Sequence, residues 1–158
     1  MKLNTSLSLI AYIFISLSCR KNVHENSSPG NASDQKFSVK VDGQVWVPSD
    51  IVIKGVNIPP QVLSINCSES DSRGYSFTLN VDRSIMPGTY TFQAGYNGNC
   101  SATFSKRNDP KNVIAVSGNL MILEHDSTTQ YISGNFNLDT GTEIDYTLTE
   151  GTFALHYY

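Results

Sequence analysis

Charge, cysteine and tryptophan are all scarce in this chain: 158 residues hold 11 Lys and Arg, 14 Asp and Glu, three Cys and one Trp. The few basic residues never cluster beyond the pairs Arg20-Lys21 and Lys106-Arg107, so nucleic acid is not an expected partner. Three histidines, His24, His125 and His156, lie far apart, and none sits at metal-ligand spacing from another or from a cysteine, so no metal is expected. There is no Gly-x-Ser-x-Gly elbow, no Ser-x-x-Lys, and no Gly-rich phosphate or dinucleotide loop. No enzyme and no cofactor are expected. No apolar run reaches the roughly 20 residues of a spanning helix. No ten-residue stretch keeps a 3.6-residue period, which argues against a helical domain.

What the chain does have begins at Leu7. Leu7 to Leu17 is an apolar run of signal-sequence length, preceded by Lys2 and closed by Ser18-Cys19. Ser16-Leu17-Ser18-Cys19 resembles a bacterial lipobox, in which cleavage precedes a lipid-modified cysteine. Ser16 departs from it, since Leu is usual at that place. The expectation is a lipoprotein signal over 1–18 and lipid attachment at Cys19; the alternative is a simple secreted protein. Multiple acyl chains on Cys19 would give stable anchoring, because one chain alone is marginal. Residues 19–35 are polar, rich in Asn and Ser, with almost nothing to bury, and read as a lipidated flexible tether.

Without residues 1–18, ten basic residues face 14 acidic ones. Cys67 and Cys100 then remain as an even pair in an oxidising compartment, which points to a disulfide. A meander of strands near 61–67, 74–81 and 88–95 would bring both to one edge. The closed loop would be worth roughly 3–4 kcal/mol. Two separate free thiols are the alternative. Both cysteines sit in Asn-Cys-Ser sequons, at Asn66 and Asn99, which a bacterial export route would leave unused.

From Lys36 the pattern is strict alternation. Phe37, Val39 and Val41 lead to the turn signal Asp42-Gly43. Period-two apolar sets recur at Leu63/Ile65, Tyr75/Phe77/Leu79/Val81, Tyr90/Phe92, Ala102/Phe104, Ile114 through Ile122, Ile132/Phe136/Leu138, Ile144/Tyr146/Leu148 and Phe153/Leu155/Tyr157. This predicts one all-β domain over 36–158, an antiparallel β-sandwich or partly closed barrel of roughly 8–11 strands. Ser117-Gly118-Asn119-Leu120 is echoed by Ser133-Gly134-Asn135-Phe136, as in two strands of one hairpin. Each Gly falls on the apolar register, marking a bend or room for an aromatic ring.

Phe37 to Trp46, Pro87 to Phe92, Val116 to Ile122, Ile132 to Leu138 and Glu150 to Phe153, in that order, resemble small lipoproteins of Bacteroidetes that carry an all-β domain of unknown function. The resemblance implies a lipid-anchored β domain in the cell envelope, at the outer membrane, and supplies no catalytic residues. Trp46 sits between Val45 and Val47 and breaks their alternation; it either caps the core edge or is exposed for binding. Tyr96, in an Asn/Gly-rich loop, is the second candidate contact. The acidic loops Glu69/Asp71 and Asp139/Glu143/Asp145 lack EF-hand spacing and read as solvated. The expected function is a membrane-anchored, non-catalytic binding or accessory module with a protein or glycan ligand. The alternatives are an apolar-ligand carrier in a closed barrel and a structural envelope protein.

Overall fold

A computed structural model describes residues 35–56, 61–69, 74–95, 98–107, 113–141 and 146–158. Among these residues the chain forms eleven strands: β1 (Lys36–Val41), β2 (Gln44–Trp46), β3 (Asp50–Val56), β4 (Val62–Ser68), β5 (Tyr75–Asp82), β6 (Gly88–Thr91), β7 (Cys100–Lys106), β8 (Val113–Ile114), β9 (Ser117–Asp126), β10 (Tyr131–Asp139) and β11 (Thr147–His156). They build two sheets, one ordered β2-β1-β11-β10-β9-β6 (sheet A) and the other β3-β4-β5-β7-β8 (sheet B). Every strand pair is antiparallel. Both sheets keep free edges, so the architecture is a sandwich and not a closed barrel, which removes the barrel carrier as a reading.

Alternation decides the inner faces. Leu63, Ile65 and Cys67 on β4, Phe77, Leu79 and Val81 on β5, and Ala102 and Phe104 on β7 all point inward and are buried. From sheet A come Phe37, Val39 and Val41 of β1, Leu120 and Ile122 of β9, Ile132, Phe136 and Leu138 of β10, and Leu148, Phe153 and Leu155 of β11. Aromatic rings join the layers. Phe77 of sheet B stacks on Phe136 of sheet A with centroids 5.1 Å apart and planes 7° apart. Phe37 lies 5.4 Å from Phe77 and 5.7 Å from Phe136.

The two sheets differ in regularity. Sheet A shifts register between Ser38 and Lys40, between Ser133 and Gly134, and between Phe136 and Leu138. On β11 the bulge falls at Glu150, whose φ is +52°. It moves the buried positions from even (Leu148) to odd (Phe153) numbers, which is why the two apolar sets of one strand look like two strands in the sequence. The β3, β4, β5 and β7 ladders of sheet B carry no shift.

The run from Ile114 to Ile122 is not one strand. β8 pairs with β7 in sheet B, the chain crosses at Ala115 and Val116, and β9 begins in sheet A. Gly118 makes the bend possible: its φ is +124° and a Cβ there would collide with the backbone of Asn137. Its counterpart Gly134 has the other reason. A Cβ there would lie 2.7 Å from the Phe153 ring.

Candidate functional site

Trp46 is fully buried, not exposed for binding. It stands opposite Val39 across the β1–β2 ladder, and directly opposed residues share a face. Val45 and Val47 are therefore turned to solvent, each 59% exposed. An indole buries more apolar surface than either valine alone and meets aromatic rings on the inner face, so Trp46 takes the interior. Phe37, Tyr75 and Phe104 surround it edge-on at centroid distances of 6.1, 5.7 and 6.4 Å. Its Nε1 has no hydrogen-bond acceptor. Tyr96 and Cys19 lie outside the described residues.

Cys67 and Cys100 are not bonded to each other; both are buried. The expected meander fails because residues 88–91 leave for sheet A, and β7 takes their place beside β5. Cys67 faces Phe77 on one side of β5, and Cys100 faces Val81 on the other. They are two strand spacings and four residues apart, roughly 16 Å, against the about 7 Å limit for a bridge. Desolvation, with a smaller contribution from the Asp50 carboxylate, pushes the Cys67 thiol well above its usual range. Burial alone pushes Cys100 up to about 11. Neither is a nucleophile at neutral pH.

Of the acidic loop residues, Glu69 and Asp139 are described. Asp139 Oδ1 accepts from the Gly141 N–H at 2.9 Å, so it serves its own turn. Among the described residues no three His, Cys, Asp or Glu side chains converge. One titratable pair does meet inside the fold. His125 Nδ1 lies 2.7 Å from the Ile85 carbonyl, and Nε2 lies 2.7 Å from the Tyr157 hydroxyl. Burial raises the Tyr157 hydroxyl above its ordinary range, with the Arg83 guanidinium opposing. Both ring nitrogens are thus committed, and the pair ties the β5–β6 connection to β9 and the C-terminal residues.

The outer face of sheet B is not announced by the sequence pattern. Alternation turns Ser64, Asn66 and Ser68 of β4, Ser76, Thr78 and Asn80 of β5, and Ser101, Thr103 and Ser105 of β7 away from the core. The unshifted ladders align them as three rows: Ser68–Ser76–Ser105, Asn66–Thr78–Thr103 and Ser64–Asn80–Ser101. Rows are about 6.6 Å apart along the strands and columns about 4.8 Å apart across them. All nine are small and uncharged; eight are half-buried and Ser101 is buried. An exposed sheet ordinarily mixes charges of both signs for solubility; on sheet B they stand around the grid, as Asp50 and Lys54 on β3 and Asp82 at the end of β5, and not within it.

Hydrogen bonds preorganise part of the grid. The Asn66 amide donates to the Ser64 carbonyl and hydroxyl, both at 3.3 Å. Thr78 donates to Asn66 Oδ1 at 3.0 Å, and Asn80 donates to the Ser101 hydroxyl at 3.4 Å. Among the described residues the hydroxyls of Ser76, Thr103 and Ser105 have no side-chain partner. Larger side chains rim the floor: Val52 and Lys54 on β3, and Ile114 on β8, directly opposite Thr103. The signal was present as small-x-small-x-small in three segments, but only the register shows that they adjoin. Compared with known protein families, with curated proteins and with solved structures, the chain matches none of them.

Proposed function

We propose that this protein is a membrane-anchored accessory module that holds a neutral, hydroxyl-rich glycan on the outer face of sheet B and performs no chemistry on it. The nine-residue uncharged grid carries the reading. Hydroxyls and amides both donate and accept, so a dense array of them can match the hydroxyls of a sugar chain. The nine positions themselves offer a charged ligand no counter-charge. The rim of Val52, Lys54 and Ile114 gives the floor lateral walls. The anchor rests on the Leu7–Leu17 run with Cys19 and on the likeness to Bacteroidetes lipoproteins, and residues 20–35 would hold the domain clear of the lipid.

Thr78 is the centre of the grid. Thr78→Arg lays a long charged side chain across neighbouring positions without touching the core. On a glycan array it should abolish binding seen with the unaltered chain while the melting temperature stays put. Equal binding by both proteins sinks the assignment of this face. For the anchor, Cys19→Ala should move the protein from the membrane to the soluble fraction; unchanged partitioning would rule it out.

A further inference from the structure

The free edges of this sandwich are unequal. β2, β6 and β8 are edge strands of three, four and two residues. β3 is an edge strand of seven, with no proline and no register shift against β4. Short strands, prolines, bulges and edge charges are the usual protections against edge pairing, and β3 has only the charges, Asp50 and Lys54, one of each sign. Its inner residues Ile51 and Ile53 pack on the core but stay partly uncovered. Its outer Val52 and Val56 are 37% and 41% exposed.

The sequence of β3 is complementary to itself when reversed. Asp50-Ile51-Val52-Ile53-Lys54 is centred on Val52, with isoleucine one step to either side and opposite charges two steps away. Place a second copy antiparallel with Val52 facing Val52. Asp50 then faces Lys54 of the second copy, Lys54 faces its Asp50, and each Ile51 faces an Ile53. The charged residues and Val52 lie on the outer face, the isoleucines on the inner face. Sliding by one residue would set outer side chains against inner ones. Sliding by two would leave Asp50 and Lys54 facing apolar residues. Both charges are exposed, and among the described residues neither makes an ion pair within the chain, where the ion pair is Lys40 with Glu150.

We propose that two copies of this protein associate through β3, edge to edge and antiparallel about Val52, joining their five-stranded sheets into one of ten. The interface is isologous, as a two-fold dimer requires. Cross-strand opposite-charge and β-branched pairs stabilise such a ladder, and like charges directly opposite destabilise it.

The test uses the purified full chain. Val52→Cys places a thiol opposite its own copy and should give a covalent dimer under mild oxidation. Lys54→Cys should not, nor should the parent chain, in which Cys67 and Cys100 are buried; all these proteins carry Cys19→Ser so that Cys19 cannot cross-link. In native mass spectrometry, Asp50→Lys and Lys54→Asp should each weaken self-association on the order of tenfold or more. The double variant Asp50→Lys/Lys54→Asp should restore it, and an equimolar mixture of the two single variants should form mixed dimers. Folding of each variant is checked by the emission of Trp46. A Val52→Cys chain that stays monomeric, or a double variant that fails to recover, overturns the proposal.

Discussion

Gly151 tests how sheet A makes room for the Phe136 ring, its direct partner across the β10–β11 ladder. A Cβ built there lies 2.5 Å from three carbons of the Phe136 ring. Carbon atoms prefer about 3.5–4.0 Å, so the ring would have to move by about 1 Å. It has little room: Phe136 is 2% exposed, stacked on Phe77 at 5.1 Å and 5.7 Å from Phe37. Overpacking of this kind costs about 1–3 kcal/mol. Against it stands a gain of about 0.4–1 kcal/mol, because alanine leaves the unfolded chain fewer conformations to lose. Gly151 has no positive φ, so strain of the backbone does not enter. Gly151→Ala should therefore destabilise by about 1–2 kcal/mol, a fall of about 4–8 °C in melting temperature for a domain of this size. Urea titration gives the free energy and scanning calorimetry the midpoint. In a Phe136→Leu background the obstructing ring carbons are gone, and the same substitution should be neutral or stabilising, a coupling of about 1 kcal/mol or more. Equal cost in both backgrounds would refute the ring contact as its cause.

Three further outcomes follow from particular groups. Trp46 is the chain's single tryptophan and is fully buried; its fluorescence should be blue-shifted and resist acrylamide until unfolding, and Trp46→Ala should cost about 3–5 kcal/mol in urea titration. Burial raises Cys100 from 9.0 to about 11, so the native state keeps the proton that the unfolded state gives up; the stability tied to this thiol is whole below pH 9 and falls as pH rises toward 11, and Cys100→Ala should flatten that slope in alkaline melts. Asp126 accepts from the Thr128 and Thr129 N–H groups and the Thr129 hydroxyl, which lowers its carboxyl below 3.8; its support for the β9–β10 turn is complete above pH 3.8 and lost as pH falls through the native value, and Asp126→Asn should reduce that acid sensitivity.

Strand existence was largely legible in the sequence because alternation reports directly which side chain a strand buries. Phe77, Leu79 and Val81 could be read as one inner face without knowing their neighbours. Which strands adjoin was not legible. Residues 88–91 fit a meander as well as they fit the other sheet, and the disulfide expectation rested on that choice. Trp46 misled for a related reason: at a short edge strand two valines and one indole compete for the interior, and pattern alone weighs positions, not areas. The polar grid was invisible as a site because Ser, Thr and Asn at outward positions are ordinary in any one strand. It takes shape once an unshifted register sets three such strands side by side.

The pairing of β1 with β11 carries a consequence for the order of folding. All five strands of sheet B lie between residues 50 and 114 and can pair among themselves early. Sheet A has to wait: Phe37 finds Phe153 only after β11 has been made, and β1 sits between β2 and β11. Contacts this distant in sequence are slow to form. A growing chain would therefore carry an unclosed sandwich until β11 has been made, with the β1–β2 hairpin already formed and one of its edges waiting for a partner more than a hundred residues away.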